Sequence, residues 1–353
     1  MKRKIIAAAA LLSAALLLSS CGEEAPKVKD SIKISGQTMG TYYAMTIIPG
    51  QYGNQADKFK QIAEDEFKVV TNAISSFDPN SEISRFNRWN STEPLKISKY
   101  LGDVIQEVNR QALRIDGVLD ISVAPLVNLW GFGTDGRPEK VPTQSQIDEV
   151  REYVGFDKYK VSYIGGMAFL EKGDPRVKLD LSTVGEGLGV DRVAAKLDEG
   201  MISDYLVSIA GAVRTRGTNP EGKDWKVGIV NPVQPDGQPF EIVCPHGMAM
   251  STSGSYRNYF VDENGKRYSH IIDPRTGKPI EHHTVSVTVI ERSALVTDTL
   301  DTGLMVMGAD AALKWGDEHE TAIYTIEIKD GKPVGRHNRY FEPYLKCDAK
   351  DAQ

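Results

Sequence analysis

Two hydrophobic periods run through the chain. Residues 56–75 place Phe59, Ile62, Ala63, Phe67, Val70 and Ile74 at helical spacing. The run stops at Phe77-Asp78-Pro79-Asn80, a turn signature. Residues 98–116 repeat the pattern, with Leu101, Val104, Ile105, Val108, Ala112 and Leu113 on one face and Ser98 as N-cap. Residues 143–153, 189–197, 297–306 and 309–315 predict further helices. Strands are predicted within 32–48 and at 177–181, 205–209, 225–230, 240–243, 256–261, 285–290 and 322–328. Residues 120–133 are apolar, with Pro125 and a Gly-rich end. After residue 200 strands outnumber helices, and no regular β-α-β alternation occurs. This predicts an α+β fold, mainly antiparallel sheet with packed helices. No clean linker, tandem repeat or later low-complexity tract divides the chain.

The N-terminus is a separate object. Lys2-Arg3-Lys4 precedes an uncharged stretch from 5 to 18, then Ser19-Ser20-Cys21-Gly22. A basic start, an apolar middle and small residues at the end describe a bacterial export signal, and a spanning helix would need about 20 apolar residues. Leu18-Ser19-Ser20-Cys21 also matches a lipobox, in which Cys21 is acylated. The expected organisation is a signal over 1–20, a flexible tether over 21–31, one domain over 32–345 and a tail over 346–353. The mature chain is expected to work outside the cytoplasm, held to the membrane by lipid.

Composition narrows the classes further. The 353 residues are 41% hydrophobic and 25% charged, with a net charge of −6. Those values exclude disordered, collagen-like and coiled-coil chains, and no basic surplus points to nucleic acid. Beyond Cys21 the chain has Cys244 and Cys347. An exported protein permits a disulfide between them, but two distant cysteines are equally free thiols. No CxxC motif or Cys/His cluster suggests zinc.

Four segments carry candidate chemistry. Lys178-Leu179-Asp180-Leu181-Ser182-Thr183-Val184-Gly185-Glu186-Gly187 delivers a carboxylate, two hydroxyls and two glycines to the start of a helix. Glycines allow close backbone approach, and a helix N-terminus favours anions. Ser251-Thr252-Ser253-Gly254-Ser255, followed by Arg257, reads as a loop of donors for phosphate or sugar oxygens. His270 precedes the turn Asp273-Pro274-Arg275-Thr276-Gly277 and titrates near neutrality. Asp298 and Thr302 stand four apart on a predicted helix, hence on one face, and their oxygens suit Mg²⁺. Taken singly, capping or turn chemistry explains each segment as well. Together, four oxygen-rich segments suggest a site for metal and phosphate.

These segments resemble the FAD:protein FMN transferase (ApbE) family in its lipoprotein form. The matching stretches are TMGTYY at 38–43, DISVAPLVNLWGFG at 120–133, LDLSTVGEGLGVDRVA at 179–194, STSGSYRNYF at 251–260, HIIDPRTGKPI at 270–280 and TDTLDTGLMVMG at 297–308. They keep the family's order over nearly the whole mature chain. The resemblance implies a T-fold-related single catalytic unit with a cleft. It also implies a reaction, in which FMN moves from FAD to a Thr or Ser hydroxyl of a partner protein and AMP leaves. Implied partners are membrane-associated redox subunits, such as those of sodium-pumping NADH:quinone reductase and related electron-transport complexes. Such substrates face outward from the cytoplasmic membrane and suit an enzyme tethered on its periplasmic side.

The resemblance also implies residue roles. Met39, Phe77, Val118, Leu119, Asp120, Asp180, Glu186 and Ile272 are expected at FAD. Asp298, Asp301 and Thr302 match metal-ligating positions, with Thr183 and the Gly185 carbonyl on the opposite side of a Mg²⁺ site. His270 is the candidate for activating the acceptor hydroxyl, and Asp298 the second catalytic residue. Glu186 stands where many relatives have Lys, Ala210-Gly211 where many have Gly-Gly, and Phe77 where Tyr is frequent. Two other readings stay open: an Mg²⁺-dependent FAD pyrophosphatase, and a flavin-binding lipoprotein without chemistry.

Overall fold

A computed structural model describes residues 28–138 and 140–347; Cys21 and the export segment lie outside the described residues. Its frame is one eight-stranded antiparallel sheet. The strands are β1 (Ile32–Thr38), β2 (Thr41–Ile48), β3 (Asp204–Ile209), β4 (Ala212–Arg216), β5 (Ala249–Gly254), β6 (Thr284–Glu291), β7 (Ala322–Lys329) and β8 (Lys332–His337). Their spatial order is their chain order, so the sheet is a meander with long insertions. The predicted α+β class with antiparallel sheet is what the chain adopts.

Among the described residues, eight helices accompany the sheet: α1 (Ala56–Ile74), α2 (Glu82–Arg88), α3 (Lys99–Arg114), α4 (Ala124–Leu129), α5 (Gln144–Arg151), α6 (Gly185–Glu199), α7 (Ala294–Met307) and α8 (Ala309–Glu318). Alternation in β2 sends Tyr43, Met45 and Ile47 into a core with Phe59 and Phe67 of α1 and Val190 and Val193 of α6. Tyr42 and Ala44 point the other way, to solvent. A second core gathers α3, the segment after 176, and α7. Ser98 caps α3 as predicted, accepting from the Leu101 N–H at 3.1 Å. Thr143 and Gln146 form a capping box on α5.

Several elements differ from the sequence expectation. The 251–255 segment is not a loop; its first four residues lie in β5, with Ser251 opposite Val289. Residues 177–181 join no sheet, although Val177, Leu179 and Leu181 are buried. Helix α6 begins at Gly185, four residues before its predicted start. Helix α7 begins at Ala294 on the Ser293 cap, so Thr297 and Asp298 sit inside the helix and do not cap it. Helix α2 and the three-stranded sheet of Leu95–Ile97, Met167–Lys172 and Tyr159–Ile164 were not anticipated. Their short, mixed patterns give weak periodicity. Cys244 and Cys347 are joined in a disulfide, which settles their open state and ties the end of the domain to the sheet's flank. Among the described residues, no helix is long and apolar enough to cross a membrane.

Candidate active site

Helices α6 and α7 meet almost backbone to backbone. A Cβ on Gly187 would lie 2.2 Å from the Ala294 carbonyl oxygen and 2.8 Å from Asp298 Oδ2. Only glycine permits this approach. Because of it, the Gly187 N–H donates to Asp298 Oδ2 at 2.5 Å. Asp298 therefore caps the open N-terminus of α6, the neighbouring helix, from inside α7.

Four more residues complete this centre. The Ser251 hydroxyl of β5 donates to Asp298 Oδ1 and also faces Asp301. Thr302 donates to Asp301 at 3.1 Å, and its oxygen lies 2.7 Å from that of Thr183. Asp298 and Asp301 are each only 3% exposed. No Lys, Arg or His forms an ion pair with either among the described residues. Burial, then the charges of Asp301 and Glu186, push the Asp298 carboxyl well above the usual carboxylate range. Burial does the same to Asp301. Two buried carboxylates with hydroxyls and no cationic partner could hold a hard divalent cation. No group of three or more His, Cys, Asp or Glu forms a metal cluster among the described residues. The set that remains is two carboxylates, two threonine hydroxyls and whatever oxygens a substrate brings.

This centre is the floor of a cavity of about 800 Å³. Phe77, Val118, Leu119, Asp120, Asp180, Thr183, Glu186, His270, Ile272, Asp298, Asp301 and Thr302 all line it. Thus residues up to 225 positions apart in sequence converge on one cavity. Phe77 stands 73% exposed at the mouth. Asp120 caps the 3₁₀ turn Ile121–Val123 by accepting from Ser122 N–H at 2.8 Å, and burial raises its carboxyl. Glu186 accepts from the Gly211 N–H at 3.1 Å; burial raises its carboxyl, opposed by N–H donors and the Arg257 charge. His270 Nδ1 lies 3.0 Å from the Asn258 carbonyl oxygen. That contact makes Nδ1 the protonated nitrogen when the ring is neutral and leaves Nε2 as the basic one. Burial lowers the pKa of this ring.

Met39 stands behind the wall, packed on the Cα side of Gly185. Met39 occupies the β1–β2 turn at φ 50°, with its sulfur 3.6 Å from the Cβ position of Gly185 and its methyl 3.3 Å from that of Gly189. It supports the first turn of α6 and does not line the cavity. Sequence reasoning missed the far wall: Leu206, Ser208 and Val213 of the sheet, and 226–228 and Val230 of the ribbon formed by Val227–Ile229 and Glu241–Val243. These are ordinary strand residues, and nothing local marks them. Ala210 also lines the cavity, at φ 42°, a left-handed conformation that favours glycine.

Residues 39–325 match the model of the ApbE family. The chain belongs to the ApbE family. Relatives named FAD:protein FMN transferase include one from Haemophilus influenzae, 38% identical over 343 residues, covering 96% of this chain and 98% of that one. Another, from Escherichia coli K12, is 39% identical over 326 residues, covering 91% and 92%. The solved flavin transferase ApbE of Vibrio cholerae has a TM-score of 0.81 and 36% identity, covering 90% of this chain and 99% of that one. The apo flavinyl transferase ApbE of Pseudomonas stutzeri has a TM-score of 0.81 and 30% identity, covering 90% and 97%. The chain therefore shares its fold with these flavin transferases.

Proposed function

We propose that this chain moves FMN from FAD to a Thr or Ser hydroxyl of a partner redox protein and releases AMP. The enzyme class, FAD:protein FMN transferase, is that of its family. The observation that carries the finer reading is the buried Asp298–Asp301 pair at the floor of the cavity, beside Thr302 and Thr183. Asp298, Asp301 and Thr302, with Thr183 and the Gly185 carbonyl, would hold Mg²⁺. When bound, that ion neutralises pyrophosphate charge and polarises the P–O bond that breaks.

The chain's own residues supply the rest. Val118, Leu119 and Ile272 give FAD an apolar wall, and Asp180 and Glu186 give it acceptors. The acceptor oxygen bonds to the FMN phosphorus as the bridging P–O bond to AMP breaks. His270 Nε2 takes the hydroxyl proton, and AMP leaves with the bridging oxygen. His270 suits this because burial keeps it neutral, hence a base, at physiological pH.

Incubation with FAD, Mg²⁺ and a domain bearing an acceptor Thr tests the reading by intact mass. A gain of one FMN with matching AMP supports transfer. FMN and AMP without mass gain support the pyrophosphatase, and intact FAD supports a flavin-binding lipoprotein. The sequence before 28 further supports export and anchoring through acylated Cys21, and acceptors that face outward from the cytoplasmic membrane favour the inner membrane, with the domain in the periplasm. A subunit of a sodium-pumping NADH:quinone reductase or a related complex is the proposed acceptor. Substituting Cys21→Ser should move the chain to the soluble periplasmic fraction.

A further inference from the structure

Asp180 reaches the cavity from a segment that pairs with no strand. Residues 177–181 alternate cleanly: Val177, Leu179 and Leu181 are fully buried, while Asp180 faces the cavity. In a sheet, neighbouring strands would fix such a segment's register. Here a side chain takes the neighbour's place. Asn87 Nδ2 donates to the Leu179 carbonyl at 2.9 Å, and Asn87 Oδ1 accepts from the Leu179 N–H at 2.8 Å. One carboxamide thus makes both bonds of a β-bridge. On the other side, the Asp180 N–H donates to the Ile121 carbonyl at 2.7 Å, beside the wall residues 118–120.

The support for Asn87 is itself rigid. It sits in the last turn of α2, whose Ile83 and Phe86 are fully buried and whose N-cap Ser81 accepts from the Ser84 N–H. The buried Lys172 ammonium lies over the Phe86 ring and donates to the Asn87 carbonyl at 3.4 Å and the Pro175 carbonyl at 3.2 Å. The same segment continues into Thr183 and the first turn of α6. A shift of Leu179 along its axis would move Asp180 and Thr183 together.

We propose that Asn87 is a positioning residue of the transfer site, fixing the register at which Asp180 enters the FAD cavity. This rests on the reading that Asp180 contacts FAD. It acts only through Leu179 and touches no substrate itself.

The test is a double-mutant cycle of Asn87→Ala and Asp180→Ala, read as FAD affinity by flavin fluorescence, with amide exchange at Leu179 followed in parallel. Asn87→Ala should weaken FAD about tenfold and speed exchange at Leu179, while core amides of α7 stay protected. The double variant should bind FAD no worse than Asp180→Ala alone. Should Asn87→Ala not fold, Asn87→Asp enters the same cycle, since it keeps the acceptor and removes the donor. Unchanged affinity in the Asn87 variant, or losses that multiply in the double variant, would overturn the positioning role. If Asp180→Ala itself binds FAD like the parent chain, the placement of FAD fails, and the role of Asn87 falls with it.

Discussion

The hydroxyls of Thr183 and Thr302 meet at 2.7 Å across a separation of 119 residues. Each comes from a different structural unit, the 3₁₀ turn Ser182–Val184 and the buried helix α7. Their contact closes the ring begun by Gly187 and Asp298, and it sets two oxygens beside the Asp298–Asp301 pair. A fold built only for stability gains little from burying two carboxylates without a cationic partner. The arrangement is what the proposed metal and pyrophosphate site requires.

Divalent metal should therefore stabilise the protein. Mg²⁺ added with FAD at neutral pH, at 100-fold excess over its Kd, should raise the unfolding free energy by about 2.7 kcal/mol over FAD alone. Asp301→Asn should remove that increment. Equal denaturation midpoints with and without Mg²⁺ in the parent chain would sink the metal assignment.

Asp298→Ala should slow FMN transfer by about 10²–10³-fold while costing FAD affinity much less. Single-turnover mass spectrometry gives the first quantity and flavin fluorescence the second. A variant that transfers at the parent rate would show that Asp298 has no part in the chemistry.

Gly187→Ala should destabilise by about 1–3 kcal/mol, because the new methyl meets a backbone carbonyl that cannot rotate away. Urea denaturation measures this. Gly189→Ala should be milder, since its contacts are side-chain ends. Equal losses for the two would contradict the close approach of α6 and α7.

Transfer should be flat near neutral pH and fall in acid, with a midpoint below the ordinary histidine value of 6.5. The direction follows from burial, which disfavours the imidazolium. His270→Asn should lose that acid limb along with about 10²–10⁴-fold in rate. The same shift bears on stability. The unfolded chain takes the proton more readily, so this group's contribution is present above pH 6.5 and is lost as pH falls toward the folded pKa. An acid limb that persists in His270→Asn would assign it elsewhere.

Reducing the Cys244–Cys347 disulfide should cost about 2–4 kcal/mol, since it closes a loop of 103 residues. Cys347→Ser should reproduce the loss without reductant. Tyr344 accepts from the Cys244 N–H at 2.8 Å, so the ribbon lining the cavity should loosen with the C-terminal turn. Denaturation curves unaffected by reductant would contradict a stabilising bond.

Much of the site was legible in the linear chain. Glycines, hydroxyls and carboxylates cluster locally in four segments, and the helical spacing of Asp298 and Thr302 needs only a 3.6 period. The helices with strong one-sided patterns, α1 and α3, were equally plain, because amphipathic periodicity survives without knowledge of partners. Tertiary structure decided what depends on approach between distant segments. It placed Asp298 on the N-terminus of α6, although the sequence allowed it to cap its own helix. It turned the Ser251 loop into a strand, because pairing with β6 supplies the bonds that a short polar run does not advertise. It moved Met39 behind the cavity wall, gave the 177–181 segment a side chain for a neighbour, and joined the two cysteines. Local propensity acts over a few residues, whereas these outcomes are set by hydrogen bonds and close contacts between residues far apart in the chain.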